Sequence, residues 1–266
     1  MPIHPTAVVD RRAELDPTCD VGPYAVIEGP VRIGARTRIL AHAYLTGNTI
    51  LGADNVVHPG ATIGGEPQDS SYKGTPAGVR IGDRNLLREH CEIHRATKED
   101  GWTEIGDDNF LMSQAHVGHD CRLGNGIVLA TGATLGGHVT VDDRAFISGN
   151  CVVHQFVRVG RLVMMRGLSR TSRDVPPFLI SDYTHIARSL NVVGLRRAGF
   201  GRDQIQALRQ AFRILFRTRL NLTAALARVE AEVQSPEVDE MLAFIRASKR
   251  GIVRGYRAAG GEADDE

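Results

Sequence analysis

Aromatic side chains are scarce in this chain, at 5% with a single tryptophan, which argues against a thick two-layer core and suits a thin, repetitive one. No run of eighteen apolar residues occurs, so no helix long enough to span a bilayer is predicted. The first residues lack a basic segment followed by an apolar stretch, so no secretory signal is visible and a cytoplasmic location is expected. Cysteine is limited to four residues. Glycine, by contrast, is abundant, with 29 among 266 residues. Hydrophobic content of 42% and charge of 24% are ordinary, and the length allows one large domain with a smaller appendix.

The net charge of +1 is unevenly spread. Residues 1–150 carry 13 basic and 19 acidic side chains, residues 151–260 carry 19 basic and 8 acidic, and the last six residues add −4. A basic C-terminal half fits either an acidic macromolecular partner or a solvated arginine-rich helical surface.

The strongest signal is a period of six. From Ile3 the steps run through Val9, Leu15, Val21, Ile27, Ile33, Ile39, Leu45, Leu51, Val57 and Ile63, resume at Ile81, and continue from Ile105 to Met165. Of 28 positions in this phase 25 are aliphatic or Met, the exceptions being Asp69, Thr75 and Glu99. Glycine follows ten of them, and the residue two before is usually small, as at Ala25, Ala43, Ala61, Ala115, Ala133 and Ala145. This is neither a helical nor an alternating strand pattern. It predicts a left-handed parallel β-helix: a coil with three flat faces, six residues per face and eighteen per turn, with stacked turns ~4.8 Å apart.

Cys19, Cys91, Cys121 and Cys151 all take the small inward position, and no two are eighteen residues apart. They are read as buried small hydrophobes and not as disulfides or zinc ligands. Residues 66–80 and 98–104 interrupt the period and are predicted as surface loops on a solenoid spanning 1–175. After Met165 the period ends, and a helical domain is predicted over 176–259. NVVGLRRAGF closes on Gly199, Ile205, Leu208, Phe212, Leu215 and Phe216 form an apolar stripe, and Ser235-Pro236 opens a helix that Gly251 would end. Residues 260–266 read as a disordered acidic tail.

Histidines of the coil avoid the inward phase. His116, His119, His138 and His154 all fall on outward positions, and Asp120 and His138, eighteen apart, become neighbours on adjacent turns. A cluster of His116, His119, Asp120 and His138 suits general base catalysis, because imidazole titrates near neutrality. Three classes fit such a solenoid: an acyltransferase with a histidine base, a zinc hydratase with histidines from neighbouring subunits, and a structural protein without chemistry. A zinc site of this fold expects a histidine pair five residues apart, and five after His116 stands Cys121.

AHVGHDC (115–121), GGHVTVDD (136–143), GNCVVHQF (149–156) and DVPPF (174–178) together resemble the acyl-carrier-protein–UDP-N-acetylglucosamine O-acyltransferase family, the first enzymes of lipid A synthesis. PQD (67–69), IGDRN (81–85), IHRAT (93–97) and NVVGLRRAGF (191–200) extend the likeness over essentially the whole chain. The resemblance implies a homotrimer with sites between subunits, and no resident cofactor, metal or nucleic acid. The acyl donor would ride on the phosphopantetheine of acyl carrier protein, whose acidity matches the basic C-terminal half. His119 matches the general base, Asp120 its orienting partner and Gly137 the oxyanion donor. Asp69, His94, His116, His138, His154, Gln155, Asn191 and Arg197 match sugar-nucleotide contacts. Met164 and Gly167 fall on the acyl-chain groove, with Gly167 leaving it open to a longer chain. Ser71, Val193 and Ala198 depart from the family pattern, so a diamino-sugar nucleotide stands beside UDP-N-acetylglucosamine as acceptor, and a sibling acyltransferase of sugar amines is the nearest rival.

Overall fold

The computed structural model describes residues 3–255. Short parallel strands, most of two residues, stack into three sheets of nine, eight and eleven strands among the described residues. Each strand pairs with the one three faces along the chain, so Val26 lies over Val8 and Tyr44 over Val26. Where the period is interrupted the step lengthens, from Val56 to Leu86 and from Leu86 to Phe110. The result is the left-handed β-helix that the six-residue period predicts.

Every aliphatic of that phase from Val21 to Met165 is buried, and each fully buried Leu or Ile contributes roughly 2 kcal/mol of hydrophobic stabilisation. Ile3 is 36% exposed at the open first turn, where no coil covers it. The four cysteines are buried and free, as their phase requires. The glycine column Gly34, Gly52, Gly82, Gly106 and Gly124 has a steric cause: a Cβ on Gly34 would stand 2.6 Å from the carbonyl carbon of Gly52 on the next coil. At the corners many non-glycine residues hold left-handed backbone, among them Asp120 (φ 59°), His138 (φ 60°) and Phe156 (φ 65°), a conformation that costs on the order of 1 kcal/mol each unless the surroundings fix it.

A buried polar column runs through one corner. Asn55 N donates to Thr37 Oγ1, Asn85 N to Asn55 Oδ1, Asn109 N to Asn85 Oδ1 and Ile127 N to Asn109 Oδ1. These side chains occupy the small inward position and satisfy corner amides that would otherwise lose water without a partner.

The outer faces differ in chemistry. The eight-stranded sheet shows charged pairs, with Arg32 against Glu14 and Glu104 between Arg80 and Arg122. The eleven-stranded sheet carries an apolar row, Leu86, Phe110, Val128, Phe146, Met164 and Ile180, one above another. The nine-stranded sheet presents Thr62, Glu92, His116, Thr134 and Val152.

The structure corrects several expected boundaries. Within 66–80, residues Ala77–Ile81 form a strand, and within 98–104 the strand Gly101–Ile105 begins, pairing with it in register. Both segments leave the coil only briefly before adding longer strands to a sheet that already has a partner edge. Residues 176–191 are not helical: strands Leu179–Asp182 and Ile186–Leu190 continue the eleven-stranded sheet, the second antiparallel. Helices begin at α1 (Val192–Arg197), followed by α2 (Arg202–Arg217), α3 (Leu222–Glu232) and α4 (Pro236–Arg246). Asn191 caps α1 by accepting from Gly194 N, and Gly199 ends it at φ 88°. Ser235-Pro236 does open α4, but the helix stops at Arg246, well before Gly251. A bidentate Arg161–Glu240 pair and Arg158 stacked 3.9 Å from the Phe244 ring tie α4 to the coil. The tail 260–266 lies outside the described residues.

Candidate active site

At the corner between the nine- and eight-stranded sheets, successive coils stack Asp120, His138 and Phe156 in one column. His119 Nδ1 lies 2.8 Å from Asp120 Oδ2, and His138 Nε2 lies 3.7 Å from the same oxygen. The rings of His119 and His138 meet edge to face at 5.2 Å, and Phe156 stacks on His138 at 4.5 Å. Asp120 is anchored from another segment: Thr97 donates both its N–H (3.1 Å) and its hydroxyl (2.8 Å) to Oδ2. The corner and Thr97 therefore fix the carboxylate, and the carboxylate fixes the ring.

Electrostatics follow from this packing. Burial alone would raise the Asp120 carboxyl, but hydrogen bonds from His119 and Thr97 outweigh it and hold the group below its ordinary value. Asp120 thus stays ionised, keeps the proton of His119 on Nδ1 and leaves Nε2 as a base. His119 is only 12% exposed at its side chain. Burial pushes His138 and His116 below the usual imidazole value.

Gly137 lies against the reactive edge of that ring. A Cβ placed on it would stand 2.5 Å from His119 Nε2 and Cε1. Gly137 is buried, its carbonyl accepts from Phe156 N, and among the described residues its N–H meets no internal acceptor. A backbone donor beside a base is the arrangement that stabilises a developing oxyanion.

The remaining expected residues divide. Asp69, half-buried in the 66–76 loop, has its carboxyl lowered by the Ser71 backbone N–H and hydroxyl, with His119 and His138 adding to it. His94 and His116 meet at 5.1 Å beside the cluster. His154 Nδ1 lies 3.2 Å from the Gln155 carbonyl and 3.4 Å from Arg250 Nη2. Asn191 is committed internally, donating to Leu162 O and capping α1, and Arg197 is exposed in the last turn of that helix. Met164 belongs to the apolar row, and Gly167 is exposed on the corner that follows its strand. Among the described residues no hydrogen bond, ion pair or ring contact joins Asn191, Arg197, Met164 or Gly167 to the imidazole cluster. Phe156, Thr97 and Glu92 were not anticipated. Phe156 had a signal, eighteen residues after His138; Thr97 had none, because its contact depends on the inserted loop.

A hexapeptide coil with an ionised aspartate orienting an outward histidine defines a transferase of the hexapeptide-repeat class. The comparisons agree: a model of bacterial transferase hexapeptide repeats matches residues 103–137, and one described as UDP N-acetylglucosamine O-acyltransferase, domain 2, matches residues 174–253. An acyl-[acyl-carrier-protein]–UDP-N-acetylglucosamine O-acyltransferase of Thermodesulfovibrio yellowstonii is 46% identical, over 95% of this chain and 99% of the relative. A solved UDP-N-acetylglucosamine acyltransferase from Bacteroides fragilis superposes with a TM-score of 0.91 at 38% identity, over 95% of this chain and all of that one. One from Arabidopsis gives 0.87 at 32%, again over 95% of this chain and all of that one. The chain belongs to the acyl-[acyl-carrier-protein]–UDP-N-acetylglucosamine O-acyltransferase family.

Proposed function

We propose that this protein transfers a 3-hydroxyacyl chain from acyl carrier protein to the glucosamine 3-hydroxyl of UDP-N-acetylglucosamine, the first step of lipid A synthesis. The observation that carries the reading is the His119–Asp120 pair at 2.8 Å with the other ring nitrogen turned toward Gly137. His119 Nε2 takes the proton of the sugar hydroxyl as that oxygen attacks the thioester carbonyl. The Gly137 N–H donates to the resulting oxyanion, a contribution of roughly 3–4 kcal/mol in comparable sites. Collapse expels the phosphopantetheine thiolate, which recovers the proton from His119, so base and acid are one residue. Asp69, His94, His116, His138, His154, Gln155, Asn191 and Arg197 bind the sugar nucleotide, with the Arg197 guanidinium on phosphate. The step requires no resident cofactor.

The apolar row on the eleven-stranded sheet fits burial against neighbouring copies and an acyl chain lying between them, so the working unit is a homotrimer. The basic C-terminal helices receive the acidic carrier protein. No helix among the described residues is long and apolar enough to cross a membrane, and the enzyme works in the cytoplasm.

Purified protein is incubated with 3-hydroxyacyl carrier proteins of several lengths and UDP-N-acetylglucosamine, with the diamino analogue in parallel, and the product is weighed by mass spectrometry. An O-acylated sugar nucleotide is expected, reduced at least about 100-fold by His119→Ala. Undiminished turnover in that variant sinks the mechanism, and exclusive use of the diamino sugar replaces the acceptor. Light scattering should give three times the 28.9 kDa chain mass.

A further inference from the structure

We propose that Glu92, His94 and His116 form a binding site for one divalent metal ion of the zinc class on the outer face of the nine-stranded sheet. Strand geometry assembles the three. Glu92 and His94 lie two apart on the strand Glu92–His94, hence on the same outer face. His116 is the cross-strand partner of Glu92 on the next coil. The donor atoms lie within 4.8 Å of one another. His116 Nδ1 is 3.3 Å from Glu92 Oε2, and His94 Nε2 is 3.9 Å from the same oxygen. Around a tetrahedral zinc ion with bonds of about 2.0–2.2 Å, ligand atoms stand about 3.3–3.6 Å apart. Rotation of the half-exposed Glu92 side chain brings its 3.9 Å separation from His94 Nε2 into that range.

The second observation is a buried nitrogen without a partner. His94 is about nine-tenths buried, and its Nε2 has no hydrogen-bond partner. Its other ring nitrogen, Nδ1, faces the carbonyl oxygen of Glu66, which can only accept. The proton therefore sits on Nδ1, and Nε2 points an unshared lone pair at the carboxylate oxygen of Glu92. Two acceptors face each other, and a cation between them resolves the conflict. A carbonyl holding the far nitrogen of a ligating histidine is also the usual outer support of a metal site.

The neighbouring triad His119, Asp120 and His138 is less suited. Asp120 Oδ2, the oxygen nearest both rings, already accepts from His119 and from both donors of Thr97, so that oxygen has little capacity left for a metal. In the Glu92 site the fourth position faces solvent, since Glu92 is 51% exposed. The ion would be held by two nitrogens, one carboxylate oxygen and water. It would also hold the His94 and His116 rings in place and remove both from the sugar nucleotide. Metal occupancy thus slows acyl transfer, a consequence that rests on the reading of His94 and His116 given above, whereas the site itself does not.

The test uses the full chain, stripped with a chelator and dialysed. Zinc is titrated in competition with a chromophoric chelator, and Co²⁺ is added separately to read tetrahedral visible bands. One zinc per chain is expected, and Glu92→Gln should weaken binding by more than the roughly 10–100-fold that follows loss of an outer partner. Asp120→Asn should leave binding within about 3-fold, which is less than any ligand loss produces. Absence of stoichiometric zinc in the parent protein overturns the site. So does zinc retained by Glu92→Gln but lost from Asp120→Asn, which moves the metal to the other triad. Metal binding in a protein that makes no acylated sugar sustains the site while removing the function reading, and active protein that binds no metal does the reverse.

Discussion

His119 and Asp120 are consecutive in the chain, yet ring Nδ1 and carboxylate Oδ2 meet at 2.8 Å. Adjacent residues on a strand point to opposite faces and cannot make this contact. It forms because Asp120 takes the corner with φ 59°, and Thr97, immediately before the inserted segment, holds the carboxylate from the far side. Corner geometry and insertion together convert a repeat into a site.

Replacing Asp120 with Asn keeps the shape but offers an amide that can donate to Nδ1. The proton then settles on Nε2, where the base must accept one. By analogy with other histidine–aspartate pairs, kcat should fall by about 10²–10⁴-fold. The apparent KM for the sugar nucleotide should change little. Steady-state kinetics check this, with circular dichroism to establish folding, and a loss confined to KM would contradict the orienting role.

Gly137→Ala is the smallest perturbation of the oxyanion region. Its methyl would stand 2.5 Å from the His119 ring, so the ring must move. Catalysis is expected to drop at least about 100-fold, since displaced catalytic groups lose rates of that order. The buried aliphatic rungs are untouched, so thermal unfolding should stay within a few degrees of the parent. An active Gly137→Ala enzyme would place the chemistry elsewhere.

Two histidines make stability depend on pH in a definite direction. Burial lowers His116 and His138 below the ordinary 6.5 in the folded chain. Unfolding therefore takes up protons near neutrality. Their contribution is fully present above pH 6.5 and is lost as pH falls through the lower folded values. Asp120, lowered from 3.8, contributes above that value and is lost only in stronger acid, which gives a separate window. Melting temperature should begin to decline below about pH 6.5, and less steeply in a His116→Gln, His138→Gln double variant. Parallel slopes in scanning calorimetry would contradict the assignment.

Much of the architecture was legible because one physical rule, an inward aliphatic every sixth residue, governs it from Val21 to Met165. The proximity of Asp120 and His138 followed from their spacing of eighteen. Other features escaped. Strands Leu179–Asp182 and Ile186–Leu190 lack the six-residue phase, since an antiparallel hairpin closes the coil there. Helix α3 buries only Ala225 and Val229, too narrow a stripe to stand out in sequence. The Glu92 cluster depends on Glu66 reaching His94 across an inserted loop, which no local pattern encodes.

The asparagine column should be worth more than the surface ion pairs. Asn85→Ala leaves Asn109 N and the Asp83 carbonyl without their side-chain partner. Each buried group so orphaned costs about 1–3 kcal/mol. Breaking the exposed Arg36–Asp54 pair with Arg36→Ala should leave unfolding almost unchanged. Urea midpoints at one fixed protein concentration compare the two, and equal shifts would deny the column its role.

Gly167 lies on the exposed corner that follows Met165, beside the row formed by Phe146, Met164 and Ile180. A Cβ there would meet only the Gly149 carbonyl at 3.7 Å, an ordinary contact, so a larger residue fits without moving the coil. Arg166 does not compete for this space, because its guanidinium pairs with the buried carboxylate of Asp182 at 2.7 Å. Gly167→Met should therefore fold normally and shorten the apolar track open to an acyl chain. Each methylene displaced from such a track costs about 0.8 kcal/mol, so losing three or four lowers kcat/KM about 100-fold for the longest donor. Shorter donors should keep their rates, and the KM for the sugar nucleotide should hold. A chain-length profile identical to the parent's, measured with a ladder of acyl carrier proteins, would place the acyl groove away from Gly167.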